Sequence, residues 1–242
     1  MDPVQFVEAL SKLKFENSFN PYSNRCVVHD LDDAPQRRLQ TLLTVLETAT
    51  KQDIDSMWIG RDLGYRGGRR TGLAFTDDVH IHEYAARWGL SIKRPTKGDV
   101  AAERTAAVIW SVLSQIEVSV FLWNVFPLHP HEPDNPFSNR SHNSLERRTG
   151  EEFVSQLILL LKPRRLVAIG NDAARTARRL RYRHRVFQVR HPSYGGQTRF
   201  LSQMCKLYNL QLNLFQPPHR CRDIEHQSSH SYTVKKASVL YR

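Results

Sequence analysis

The sequence predicts an α/β fold: a three-layer sandwich with a central, mainly parallel four-stranded sheet flanked by helices. Three observations carry that expectation. Short apolar runs rich in β-branched and aromatic residues occur at Met57–Gly60, Val118–Trp123, Leu166–Ile169 and Val186–Val189. Stretches of helical periodicity separate them, which implies parallel pairing through right-handed crossovers. The chain has 242 residues and 40% hydrophobic content, enough for one full core. The expected organisation is a single domain over 1–216 followed by a basic extension, 217–242.

Taken in order, Val4, Val7, Leu10 and Leu13 recur at helical spacing and predict a short amphipathic N-terminal helix. Phe15–Asp30 reads as loop, with Asn20-Pro21 as its turn signal. Asp33–Thr50 is a stronger helix, its stripe formed by Leu39, Leu42, Leu43 and Leu46. Beyond the first strand and a glycine-rich loop, Val79–Gly89 and Val100–Gln115 read as helices around a basic turn, Lys93–Gly98. After the second strand, Pro127 to Pro136 forbids regular structure. Ser144–Leu161 predicts a long helix that stops before Pro163. Gly170-Asn171-Asp172 opens a helix to Leu180, and Thr198–Leu210 is the last. Tyr232–Leu240 suggests a short strand.

Lys plus Arg is 35 against 24 Asp plus Glu, a net charge of +11. That balance points to a polyanion, and nucleic acid is the first expectation. Cys26, Cys205 and Cys221 are scattered and odd in number, which suggests neither a disulfide framework nor a zinc site. Asp2 and Glu8 interrupt any apolar leader, and the most apolar runs are too short to span a bilayer. A cytoplasmic setting is expected.

The most informative stretch is Ser56–Thr76, SMWIGRDLGYRGGRRTGLAFT. An apolar run stops at Gly60, Asp62 follows, and a loop carries Gly64, Gly67, Gly68 and Gly72 among Arg61, Arg66, Arg69 and Arg70. So many glycines imply unusual dihedrals or a close approach, and the arginines imply that what approaches is anionic. Asp62, Asn124 and His191 each fall one to three residues beyond a predicted strand end. In open α/β sheets that is where ligands bind, so the three are expected to converge. Ser193, Gly195 and Gly196 lie just before a helix, where free backbone N–H groups suit a phosphate. Against a metal centre, His80-x-His82-Glu83 and His129-x-His131 have ligand-like spacing but no evident third ligand. A nucleotide-binding module is disfavoured because G-x-G-x-x-G is missing.

Three segments, in this order, resemble the motifs of the uracil-DNA glycosylase superfamily: the glycine loop just quoted, Phe121–Pro130 (FLWNVFPLHP) and Arg190–Phe200 (RHPSYGGQTRF). The spacing from Asp62 to Phe75 looks like the classical uracil-specific branch, and the Gly-Gly-Arg-Arg-Thr-Gly run like a thermophile-type branch. The resemblance covers about Ser56 to Met204. It implies a monomeric DNA repair enzyme that flips uracil out of single- or double-stranded DNA and hydrolyses its N-glycosidic bond. Asp62 would orient the attacking water, and His191 would hold the charge of the leaving base. Gly60, Phe75 and Asn124 would bind uracil, with Phe75 stacking and Asn124 reading the base edge. Ser193, Tyr194, Gly195, Gly196 and Arg70 would contact DNA. Some branches carry an iron–sulfur cluster on four cysteines, which three cannot reproduce, so no cofactor and no metal is implied. Gly64 stands where the classical branch has a thymine-blocking Tyr, so either Tyr65 substitutes or thymine exclusion is looser. Gly195 stands at the place of the wedge Leu, with Tyr194 the replacement. The competing function is a non-catalytic binder of uracil or abasic DNA with the same fold; a metal-dependent hydrolase is weaker.

Overall fold

The computed structural model describes residues 1–180 and 185–211. The expected strand at Tyr232–Leu240 and the extension 217–242 lie outside the described residues. Capped by Asp2 through a capping box, α1 (Pro3–Ser11) opens the chain, and β1 (Ser18–Phe19) and α2 (Ala34–Ala49) follow. Next come β2 (Ser56–Asp62), the single turn α3 (Gly68–Thr71), α4 (Ile81–Arg87) and α5 (Arg104–Leu113). The second half holds β3 (Val120–Phe126), β4 (His129–Pro130), α6 (Ser144–Leu161) and β5 (Arg165–Ile169). Among the described residues α7 (Asn171–Arg179), β6 (Arg185–Val189) and α8 (Gln197–Tyr208) complete the fold.

The main sheet has the order β3-β2-β5-β6, and every pairing is parallel. This is the four-stranded α/β arrangement that the alternation of apolar runs and helical stripes predicts. The central position of β2 explains its run of five buried residues, Ser56–Gly60. All seven residues of β3 are buried, as expected of a strand covered on both faces. Trp58, Phe121, Leu166 and Val167 anchor the core, and Phe6, Leu46 and Phe200 close on it from the helices. No helix among the described residues is long and apolar enough to cross a membrane.

Three local differences from expectation shape the site. The loop Phe15–Asp30 contains β1, which pairs antiparallel with β4 just inside the proline-rich loop. β3 runs on to Phe126 rather than stopping at Trp123, so Asn124 sits inside the strand, opposite Gly60. Asp62 is likewise the last residue of β2, and of the three only His191 lies past its strand. Finally α5 begins at Arg104, four residues later than its apolar pattern suggests. The preceding Val100–Ala102 segment is irregular and carries Glu103 to the carboxyl end of the sheet.

Candidate active site

A cavity of about 410 Å³ opens at the carboxyl ends of the strands and is lined by Asp62, Phe75, Glu103, Asn139, Asp172 and His191 among others. Its size suits a single small ring system. β2 delivers Asp62, α7 delivers Asp172, and the segments between elements deliver Phe75, Glu103, Asn139 and His191, as expected at the carboxyl end of a parallel sheet.

Asp62 is nearly buried and both of its oxygens are engaged. Arg61 Nε donates to Oδ2 at 2.6 Å, and His142 Nδ1 donates to Oδ1. A carboxylate has about four acceptor positions, so both oxygens keep room for a water. Arg61 also reaches Asp172 on α7 at 3.7 Å. His142 is fixed in turn by its setting. It precedes Asn143, whose side chain and Glu146 form a capping box at the start of α6. Arg140 binds the fully buried Glu146 carboxylate at 2.6 Å and also donates to the carbonyls of Asn17 and His131. That knot pins residues 139–143, of which Asn139 and Arg140 line the cavity.

His191 accepts at Nδ1: the Ser193 N–H donates to it at 3.2 Å, and the Ser193 hydroxyl lies 2.7 Å away. A ring nitrogen that accepts carries no proton, so the neutral ring keeps its hydrogen on Nε2. Burial pushes the imidazole down to about 4, and Arg61 and Arg190 push it the same way. At neutral pH the cavity therefore receives an uncharged N–H donor.

Phe75 and Asn124 share the space over Gly60. A Cβ on Gly60 would come within 2.3 Å of Asn124 Oδ1 and 2.4 Å of Phe75 Cζ. Only a glycine admits both. Phe75 lines the cavity, whereas Asn124, 3% exposed, and Gly60 stand beside the ring and not on the wall. The Asn124 side chain has no hydrogen-bond partner among the described residues. Phe75 itself has a left-handed backbone, φ 55, a conformation that a bulky residue keeps only where its surroundings enforce it. Trp110 Nε1 donates to its carbonyl at 3.1 Å and supplies part of that enforcement.

The cationic reading of the glycine loop needs correction. Arg61 and Arg66 are exposed, but Arg69 and Arg70 are buried. Arg70, expected at DNA, instead binds Asp78 at 2.6 Å, and Arg38 Nε donates to its carbonyl at 2.8 Å. Arg38 is itself paired with the buried Asp30. Arg69 lies over the rings of Phe19 and Phe137, 4.0 and 5.0 Å from their centroids. Both arginines hold the loop's shape: Arg70 is spent on its ion pair, and Arg69, whose buried Nε has no hydrogen-bond partner among the described residues, packs on the two rings.

The His-Pro-Ser segment reaches outward, but the N–H groups of Ser193 and Gly196, expected to be free for a phosphate, donate to His191 Nδ1 and to the Ser193 carbonyl. Ser193 and Tyr194 line the cavity mouth, and Tyr194 is 97% exposed on a left-handed backbone. Gly195 has open space where a Cβ would be, and Gly196 opens α8. One histidine of each pair weighed as metal ligands is used otherwise. His80 Nδ1 lies 2.6 Å from Asp77, and the buried His129 places Nε2 2.8 Å from the Ser138 carbonyl.

The match of residues 48–213 to the family model of the uracil DNA glycosylase superfamily decides the family, since it spans more than half the chain. The chain belongs to that superfamily. Its members are DNA glycosylases, so an enzyme acting on DNA is the general class of this glycosylase. Among curated proteins no match was found. The crystal structure of wild-type SMUG2 from Pedobacter heparinus is similar to it at a TM-score of 0.57 and 13% identity, covering 86% of this chain and 96% of that one. At such identity the likeness speaks for the fold.

Glu103, Asn139, Arg140 and His142 were not singled out in the sequence. His142 had one legible signal, its place directly before the Asn143/Glu146 capping pair. Glu103 had none, because its place directly before α5 emerges only from the structure.

Proposed function

We propose that this glycosylase removes uracil from DNA by hydrolysing its N-glycosidic bond, leaving an abasic site. One observation carries the reading: Asp62, Phe75 and a neutral His191 line a single cavity at the carboxyl end of the sheet. The base is drawn out of the stack, as any chemistry at its C1′–N1 bond requires. It enters beside Phe75 and moves the ring off the Asn124 amide. The amide carbonyl then accepts from uracil N3–H, and its NH2 donates to O4. Cytosine presents the reverse pattern at both atoms, so the amide in this orientation rejects it.

As the C1′–N1 bond breaks, its electron pair leaves with the base and positive charge grows on the sugar. The Asp62 carboxylate stabilises that charge and orients the water that adds to C1′. His191 Nε2–H donates to uracil O2, where the negative charge collects. Such preorganised donors and charges are worth on the order of 10²–10³ in rate each. Ser193, Tyr194, Gly195 and Gly196 hold the flanking backbone, Tyr194 acting as the wedge at the vacated position.

The test is incubation of the purified protein in EDTA with matched oligonucleotides carrying uracil, thymine or hypoxanthine, followed by alkaline cleavage on a gel. Cleavage at uracil supports the reading. Binding of uracil DNA with no abasic product would replace it by that of a non-catalytic binder.

A further inference from the structure

We propose that Glu103 is a specificity-determining residue whose carboxyl closes the base cavity beside the glycine loop and excludes bases bearing an extra group on the edge that meets it. The inference rests on the reading of the cavity as a uracil site. Glu103 immediately precedes α5, yet its side chain does not cap the helix. Its backbone N–H donates to Asp77 Oδ2 at 2.6 Å, which fixes the main chain and directs the side chain into the cavity. There the carboxyl takes up the room that two glycines leave. A Cβ on Gly67 would lie 2.0 Å from Oε2, and one on Gly64 3.2 Å from Oε1.

Among the described residues this carboxyl has no hydrogen-bond donor and no cation, in a chain with 35 lysines and arginines. Glu103 is half-buried, whereas the buried carboxyls Asp30, Asp78 and Glu146, which serve the fold, are all paired. Burial, with the nearby charge of Asp77, raises Glu103 to about 7. An unpaired, perturbed carboxyl facing a cavity is a mark of a functional group.

The rim of the base indicates what Glu103 meets. In the proposed pose N1 joins the sugar, O2 meets His191, and N3 and O4 meet Asn124. Only C5 and C6 are left over. Gly64, Gly68, Glu103 and Thr105 line the cavity on the glycine-loop side and take part in none of those contacts, so we assign C5 and C6 to them. A hydrogen at C5 fits against the carboxyl. A methyl there must displace an oxygen or strip it of water without replacing the lost hydrogen bond.

The experiment compares the full-length protein with E103A, E103S and E103Q in single-turnover excision of uracil and of thymine, in one oligonucleotide sequence with the same opposing base. E103A and E103S are expected to raise the thymine-to-uracil rate ratio by about 10-fold or more, the scale of one methyl group in a fitted pocket. E103Q keeps the size of the side chain and should stay near the parent ratio. E103S also supplies a capping oxygen, so it tests the inference even if E103A folds poorly. An unchanged ratio in variants that still excise uracil would overturn the role of Glu103 alone. Loss of both excisions in folded E103A and E103S would make it part of the catalytic frame and would equally overturn a selective role. No uracil excision by the parent protein would instead remove the uracil reading, and this inference with it.

Discussion

The glycine loop and the His-Pro-Ser loop both line the cavity and are built in opposite ways. The first is held from within. Arg38 with Asp30 and Arg70 with Asp78 are buried ion pairs, and Arg69 is sandwiched by aromatic rings. The second is held by a few hydrogen bonds: Ser193 on His191, Gln203 on the Arg190 N–H at 2.7 Å, and the Gly196 N–H on the Ser193 carbonyl at 3.0 Å. Its tip, Tyr194-Gly195, stands in open space. In the glycine loop the residues that shape the cavity also stabilise the fold, so the two cannot be altered separately. In the other loop the tip can change while the fold stays as it is.

Four substitutions and a titration test that contrast. Arg70→Ala leaves Asp78 buried without its partner and should cost about 3–5 kcal/mol, read from denaturant midpoints. Asp62→Asn should lower single-turnover uracil excision on the order of 10²–10³-fold while leaving DNA affinity in place. Gly60→Ala drives a methyl into Phe75 and Asn124 and should slow excision roughly 10²-fold, as small misplacements of a reacting group do. A near-normal rate in that variant would show that the pair over Gly60 is not where the base is read.

The titration concerns His191, whose proton affinity is lowered from 6.5 to about 4, and His129, lowered to about 3. Both shifts come first from burial. Between these values and 6.5 the unfolded chain binds more protons than the folded one, so stability falls as pH drops through that window. Excision rate at fixed folded fraction should show no His191 inflection near 6.5; one there would mean a charged imidazole at neutral pH. The smallest effect belongs to Tyr194→Ala. It should move stability by no more than about 0.5 kcal/mol, as exposed positions do, while weakening DNA binding.

Much of this was legible because it depends on local pattern. Apolar runs of strand length and helical stripes announce themselves, so all four sheet strands and the limits of α6 could be read directly. Asp62 and His191 were legible as cavity residues from their positions near strand ends, and Phe75 only through the resemblance. Partners distant in sequence were not. Nothing around Asp62 signals His142, 80 residues on. Nor does a run of four arginines say which two turn inward; that depends on whether Asp78, Phe19 and Phe137 fold beneath them. The end of β3 was misread for a related reason. Asn124 is a poor strand residue by propensity, but pairing with β2 on a doubly covered sheet overrides propensity.

The uncapped start of α5 has an evolutionary corollary. Ser, Asn or Asp at position 103 would satisfy an amide of the first turn and add about 1 kcal/mol of heat resistance. A laboratory screen that rewarded survival at high temperature would therefore be drawn toward replacing this glutamate. Its winners would be sturdier proteins with a less discriminating repair activity, a form of stability–activity trade-off.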